Sequence, residues 1–261
     1  MNELVTLITP TGSRQESFKL LEGYIARQTY KGPLEWIVVD DCTPRTPVSM
    51  GQKYLRGPRD WTPDYNTQRG NMEVAMEHIR GDYIFIIEDD DWYHPRYIET
   101  YLTALKTSSI VGSANAKYYS LHVPGWKEMH NYENASLCQT AFTRDVLPLC
   151  KQAVGSGELF FDIQLWKYTK EKQLSAAMLW ENKLTVGLKG MPGRTGIGIG
   201  HTRIRDFYLD SNLTKLREWI GDDANKYLPY IKGYKNANTQ SKTSSLREGY
   251  RSMLQSGGKQ A

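Results

Sequence analysis

Along this chain short apolar runs, each closed by turn-forming residues, alternate with stretches in which apolar residues recur at helical spacing. Leu4–Ile8 reads as a strand, broken by Thr9-Pro10-Thr11-Gly12-Ser13. A helix follows, with Phe18, Leu21 and Ile25 on one face and Ser13 or Ser17 as its cap. Gly32-Pro33 turns the chain into a second strand, Leu34–Val39, which ends in Asp40-Asp41. Strand, helix, strand in that order is a βαβ unit, so the sheet is expected to begin parallel and right-handed. Residues 43–63, rich in Pro, Gly and Arg, read as a loop with little regular structure, and Asn71–Ile79 as a helix. It leads into Tyr83–Ile87, a β-branched and aromatic run with no polar break. That pattern suits a strand buried on both faces, in the middle of a parallel sheet.

Beyond it the spacing predicts a helix over Tyr97–Lys106, a strand over Ser109–Ser113, and an edge strand or hairpin arm over Ala116–Val123. Leu137–Phe142 reads as a buried strand, Thr143–Cys150 and Leu159–Lys172 as helices, and Ala176–Leu179 and Leu184–Leu188 as the last strands. The glycine-rich stretch 190–201 reads as a loop able to move and close. A helix is expected through Leu216–Ile220, and the Ser-, Thr-, Gln- and Lys-rich tail after Lys232 reads as flexible. The fold class this pattern predicts is α/β, with a mostly parallel central sheet flanked by helices.

Glu88, Asp89, Asp90 and Asp91 follow the central strand at its carboxyl end, the edge at which open α/β sheets bind ligands. Four adjacent carboxylates repel one another, so a compensating cation is expected. A hard divalent ion held by carboxylates and substrate phosphates fits best. The plainer alternative is a solvated acidic turn capping the next helix. Asp40-Asp41 ends its strand at the same edge, where a helix cap or turn is again the alternative.

Composition bounds the class. With 261 residues, 39% hydrophobic and 24% charged, the chain is one large domain, or one domain with an appendage, of soluble globular type. Cys42, Cys138 and Cys150 are too few and wrongly spaced for a disulfide framework or a zinc site, and suit reduced thiols in the cytoplasm. No basic leader begins the chain, and no apolar run nears the ~20 residues of a membrane helix. The net charge is +4, but from Lys226 onward seven Lys or Arg face one Glu.

Leu4–Thr11, Glu35–Asp41 and Gly81–Asp91 together resemble the family 2, GT-A type glycosyltransferases. That family shows an apolar strand ending in Pro-Thr, one ending in Val-Asp-Asp, and one ending in Asp-x-Asp-Asp. Gln28-Thr29-Tyr30 and Arg69-Gly70-Asn71 also match, and the likeness covers about the first 110 residues before it thins. It implies a GT-A fold in which 1–110 binds a nucleotide-sugar, 111–206 binds the acceptor with 190–201 as a mobile loop, and 207–261 forms a helix and basic tail. By that resemblance Thr9 and Pro10, with Thr11 and Arg14 beside them, meet the nucleotide, Asp40 or Asp41 bonds the base, and Arg69 and Asn71 complete the site. Asp90 is the primary metal ligand. Glu88 stands where the family has Asp and reaches the ribose, or the metal through water, while Asp89 fills the middle place. His201 is a third metal ligand, with an exposed loop histidine as the alternative. Arg194, Arg203 and Arg205 suit the diphosphate, or are surface arginines.

The chemistry needs Mn²⁺ or Mg²⁺ as a Lewis acid on the departing diphosphate, and a base for the acceptor hydroxyl. Asp162, in Phe161-Asp162-Ile163, is the first candidate base and Glu158 the second, with a helix cap as the alternative role. Trp92, Trp126 and Trp180 are sugar-stacking walls or structural aromatics. For the acceptor, the run Lys226, Tyr227, Tyr230, Lys232, Tyr234, Lys235, Lys242, Arg247, Tyr250 and Arg251 carries the ingredients of nucleic-acid binding, and equally those of attachment to an anionic membrane surface. The expected function is thus an inverting, metal-dependent transfer from a UDP-sugar or similar donor. The acceptor could be a hydroxymethylated base in DNA, as in viral DNA-modifying enzymes acting in a host cytoplasm. Polysaccharide, lipid-linked or protein acceptors, a metal-dependent nucleotidyltransferase, and an inactive nucleotide-binding module remain alternatives. The sugar and the oligomeric state stay open.

Overall fold

The computed structural model describes residues 3–58, 67–180, 183–194 and 206–231. β1 (Val5–Thr11) is buried along its whole length. After α1 (Gln15–Ala26) the chain returns as β2 (Leu34–Asp40), parallel to β1, and then as β3 (Lys53–Arg56), parallel to β2. α2 (Thr67–Met76) leads into β4 (Tyr83–Ile86), parallel to β1 on its other side. Phe85 and Ile87 enter one core cluster while Ile84 and Ile86 enter the other, as the two-residue period of a strand buried on both faces requires. Phe85 packs edge-on to Tyr97, with ring centroids 5.9 Å apart.

β5 (Asp91–Tyr93) and α3 (Tyr97–Leu105) precede β6 (Ile110–Ser113), β7 (Asn115–Ser120) and β8 (Gly125–His130). β9 (Thr140–Thr143), α4 (Leu147–Gly155), α5 (Phe161–Glu171), β10 (Ala176–Leu179) and β11 (Thr185–Lys189) follow. β12 (Tyr208–Leu209) and α6 (Thr214–Ile220) come last, before a 3-10 segment, Gly221–Tyr230. Seven strands form the main sheet in the order β10-β6-β9-β4-β1-β2-β3, and five form a second, β12-β8-β7-β11-β5. α1 and α3 cover one face of the main sheet, and α2, α4 and α5 the other.

Several expectations need correction. The main sheet is mostly parallel, as expected, but its central strand β4 has one antiparallel neighbour, because β9 runs antiparallel to both β4 and β6. The stretch read as a loop contains β3, whose four residues Lys-Tyr-Leu-Arg do not alternate and are too few to register as a strand until β2 offers them an edge. Leu137–Phe142 begins as a 3-10 turn over Leu137–Gln139, and only its second half is strand. Residues 116–123 supply a hairpin arm, β7, but it is interior, held between β8 and β11. Neither Ser13 nor Ser17 caps α1. Its N-cap is Arg14 without a side-chain bond, and the Ser17 hydroxyl is buried without a partner. No helix among the described residues is long and apolar enough to cross a membrane.

The flexible tail expected after Lys232 lies outside the described residues, but the basic run that begins at Lys226 starts inside the fold. Tyr227 is buried and its hydroxyl lies 2.7 Å from that of Tyr24, while Lys226 reaches Asp223 at 2.8 Å. Asp223 also accepts bonds from the Trp92 indole at 2.7 Å and from Arg27. These residues close the fold instead of leading a free tail. Burial alone would raise the Asp223 carboxyl, but the bonds from Arg27, Lys226 and Trp92 hold it below the usual range. Asp223→Ala should therefore cost about 2 kcal/mol at neutral pH, since a carboxylate's hydrogen bonds are worth more than neutral ones. That corresponds to a melting point lower by roughly 4–8 °C. A carboxyl lowered in the fold stabilises above its unfolded pKa, so the gap to wild type should narrow as pH falls below about 4. Thermal melts across acid pH check this, and a gap that widens on acidification would refute it.

Candidate active site

Because β1, β2 and β4 run parallel, their carboxyl ends share one edge, and the chain leaves Thr11, Asp40-Asp41 and Glu88–Asp91 there together. Thr9 and Pro10 lie within β1, where the Thr9 hydroxyl accepts from the Trp36 indole at 3.0 Å. The two aspartates after β2 part company. Asp40 accepts from the backbone N–H of Cys42 at 3.0 Å and Thr46 at 2.6 Å, and from the Tyr54 hydroxyl at 2.9 Å, which makes it the cap of its own loop. Asp41 is buried in other company, where it accepts from Asn71 Nδ2 at 2.9 Å and from Arg194 Nη1 at 2.8 Å. A side chain at Gly12 would put a Cβ 2.1 Å from Asp41 Oδ1, so only glycine fits there. Gly193 has φ +111°, and a Cβ on it would lie 1.9 Å from the Ser13 carbonyl. That close approach brings Arg194 onto Asp41.

The acidic cluster is compensated from within the protein. Arg14 Nη1 lies 2.7 Å from Asp89 and 3.4 Å from Asp90, and Lys189 Nζ lies 3.2 Å from Asp90 and 2.8 Å from Asp91. Thr11 donates to Asp89 at 2.7 Å and Gln68 to Glu88 at 3.1 Å, while the Glu88 N–H bonds the Tyr93 hydroxyl at 2.9 Å. Asp91 is no turn residue but the first residue of β5, so its carboxylate is buried. Burial, then Asp91 and Asp90, push the Glu88 carboxyl up to about 8 against the pull of Lys189 and Arg14. Burial raises Asp91 likewise, and burial with the charges of Asp91 and Glu88 drives the Cys138 thiol well above its ordinary range.

Whether these residues fit a divalent cation can be tested on the donor set. Ligand atoms of Glu88, Asp91 and Cys138 all lie within 4.8 Å of one another. Asp91 Oδ2 is buried without a hydrogen-bond partner, and a ligand oxygen of the same carboxylate lies near the Cys138 thiol. Four carboxyl groups face two protein cations, and their oxygens are the hard ligands that such an ion takes. The residues fit. They meet differently from the expected set, because Glu88 groups with Asp91 and Cys138 while Asp90 lies between Arg14 and Lys189. His201, Arg203 and Arg205 lie outside the described residues.

Asp162 sits in the first turn of α5. Burial raises its carboxyl, against bonds from the backbone N–H groups of Ile163, of Asp162 itself and of Leu137. Leu137 adjoins Cys138, so the candidate base is one residue removed from the thiol that faces Glu88 and Asp91. Glu158 is exposed, and its carbonyl accepts from Arg69 Nη2 at 2.5 Å, which ties α2 to the lead of α5. Trp92 is buried on Asp223, Trp126 lies between Tyr208 and Trp219, and Trp180 is exposed beside Tyr132. Lys189 and Cys138 were missed as site residues in the sequence. The one available signal was a lysine closing a strand of otherwise uncharged residues.

The family model described as Glycosyl transferase family 2 matches residues 18–161. Among solved structures, the mannosyltransferase PcManGT from Pyrobaculum calidifontis, in complex with GDP-Man and Mn²⁺, is similar at 15% identity with a TM-score of 0.54. The match covers 97% of this chain and 81% of that one, and it shows a shared GT-A fold. S. aureus TarS is similar at 11% identity and a TM-score of 0.47, over 71% of this chain and 37% of that one. Its residue 1–349 form with UDP-GlcNAc gives 13% and 0.45, over 74% and 59%. The chain thus spans well under half of the longer TarS. No curated protein matches it in sequence.

The raised Glu88 carboxyl generates a test. Between the ordinary carboxyl value and about 8 the unfolded chain releases the proton and the folded one keeps it, so stability falls as pH rises through that window. In metal-free protein Glu88→Gln should match wild type near about pH 4, exceed it increasingly up to about pH 8, and then hold a constant lead. Denaturant unfolding with a chelator at stepped pH measures this, and a lead that shrinks with pH would contradict it.

Proposed function

The chain belongs to glycosyl transferase family 2, and from that premise we propose that it moves a sugar from a nucleoside-diphosphate donor to an acceptor hydroxyl, with inversion and with a divalent cation. The observation that carries the reading is the convergence of Asp41, Arg14 and Glu88–Asp91 on one sheet edge beside Arg194. Asp41 accepts the base N–H in place of the Arg194 guanidinium, and Asp40, consumed by its own loop, does not. Released from Asp41, Arg194 meets the diphosphate with a charge-assisted bond, joined in this reading by Arg203 and Arg205. Glu88, Asp90 and Asp91, with His201, would hold Mn²⁺ or Mg²⁺, which when bound supplies Lewis-acid neutralisation of the leaving diphosphate. Arg14 keeps Asp89 turned inward and out of competition for the ligand. Asp162 takes the acceptor proton as the hydroxyl oxygen attacks the anomeric carbon, and its raised proton affinity suits that task. Glu158, exposed on the lead to α5, is the second candidate base.

The donor in this proposal is a UDP-sugar, and the acceptor a hydroxymethylated base in DNA. Support for DNA is the sequence run Lys232, Lys235, Lys242, Arg247 and Arg251. Lys226, Tyr227 and Tyr230 lie outside that support because they belong to the folded 3-10 segment. DNA retardation in gels should weaken steeply with salt and vanish on truncation after Ile231, whereas full affinity in the truncated chain would remove the tail from the reading.

The first test is a thermal-shift panel of UDP, GDP, CDP and TDP with and without Mn²⁺. A ligand at a hundred times its Kd adds ~2.7 kcal/mol, which raises the melting point by roughly 5–10 °C here. One diphosphate should give a metal-dependent shift that Asp90→Ala loses. Asp162→Asn should keep the shift and lose about 10²–10⁴ in kcat. Absence of any metal-dependent shift with all four would sink the reading.

A further inference from the structure

Lys189 lies where sequence patterning offers no role for it, and its geometry has a consequence for the order of binding. Its side chain is 6% exposed, at the end of β11, and its ammonium bridges Asp90 Oδ2 at 3.2 Å and Asp91 Oδ1 at 2.8 Å. A Cβ at Gly187 would lie 2.7 Å from the Tyr118 ring and 3.3 Å from Lys189 Cε, so that glycine leaves room for both side chains. Asp90 Oδ2 is shared with Arg14 at 3.4 Å, so the carboxylate assigned above to the divalent ion already faces two protein cations. In so dry a setting charges act at short range with little screening. A dication arriving alone at Asp90 meets the repulsion of both. A dication arriving with a diphosphate brings the anionic charge that offsets them.

We propose that Lys189 is a positioning residue that stands in for the metal in the nucleotide-free site, holding Asp90 and Asp91 together and making cation uptake depend on the diphosphate. This rests on the metal-dependent reading given above and adds to it a sequence of events. The free protein binds the divalent ion weakly. The donor diphosphate and the cation enter together, and the ammonium then faces both the carboxylates and the phosphate oxygens. Arg14 does not take this part, since its shorter bond is to Asp89 and it lies farther from Asp90 than Lys189 does.

Electron paramagnetic resonance of unbound Mn²⁺ tests it on the full chain at one fixed pH. Wild type, Lys189→Met and Lys189→Arg are compared with Mn²⁺ alone and with Mn²⁺ plus UDP, GDP, CDP or TDP. Wild type and Lys189→Arg should bind Mn²⁺ alone at least about tenfold more weakly than with the diphosphate that binds, a gap of about 1.4 kcal/mol. Lys189→Met should bind Mn²⁺ alone at least about tenfold tighter than wild type and lose most of that dependence. If Lys189→Met binds Mn²⁺ no tighter while the diphosphate still promotes binding, the role of Lys189 is overturned and the glycosyltransferase reading stands. If no diphosphate brings Mn²⁺ to any of the three, the metal-dependent reading falls and this proposal falls with it. Should Lys189→Met fail to fold, wild type alone decides, because Mn²⁺ bound as tightly without diphosphate as with it would refute the proposal.

Discussion

Four consecutive carboxylates at the end of a buried strand set the terms for the rest of the molecule. Desolvating even one unpaired carboxylate costs several kcal/mol, and removing one partner of a buried ion pair costs on the order of 3–5 kcal/mol. The fold meets that cost by bringing cations from far along the chain, Arg14 from the start of α1 and Lys189 from the end of β11. Each comes from a different layer. Arg14 follows the first strand of the main sheet, and Lys189 ends a strand of the second. The acidic cluster therefore ties the two sheets together, and β5, which begins with Asp91, is the strand that makes the junction by pairing with β11.

A second tie works from the other face of the same short strand. Trp92 points away from Asp91 and donates to Asp223, which also holds Arg27 of the N-terminal half and Lys226 of the final 3-10 segment. The Tyr24–Tyr227 hydroxyl pair lies alongside. Residues 221–231 thus cover α1 as part of the core, although their composition is that of a polar tail. Alternation along three residues of β5 sends one side chain to the site and the next to the clasp. Site geometry and C-terminal packing are coupled through that strand.

At the carboxyl edge of the main sheet the structure separates residues that adjacency makes look alike. Asp40 and Asp41 are neighbours, yet one is saturated by backbone N–H groups of its loop and the other is reached by Asn71 and Arg194. Asp89 and Asp90 divide in the same way, the first anchored by Thr11 and Arg14 and the second placed between two cations. Small residues make these arrangements possible, since Gly12 and Gly193 stand where a Cβ would strike Asp41 or the Ser13 backbone. Arg194 on Asp41 leaves that buried carboxylate paired with a guanidinium.

The βαβ start, the central position of Tyr83–Ile86, the helices α1 to α5 and the carboxyl-edge placement of the acids were all legible in the sequence. Each follows from local periodicity and from the rule that parallel strands end on one side. β3 and β5 were not legible, because strands of four and three residues become strands only when a neighbouring edge supplies their hydrogen bonds. The antiparallel course of β9 was hidden for a similar reason: an apolar run shows burial but not direction. The need for a cation beside Glu88–Asp91 could be deduced from charge repulsion alone. That Arg14 and Lys189 supply it, and that Cys138 faces Glu88 and Asp91, was decided only by the tertiary structure. Electrostatic demand is local and follows from residue types, whereas its satisfaction depends on which distant side chains the fold brings within a few ångströms.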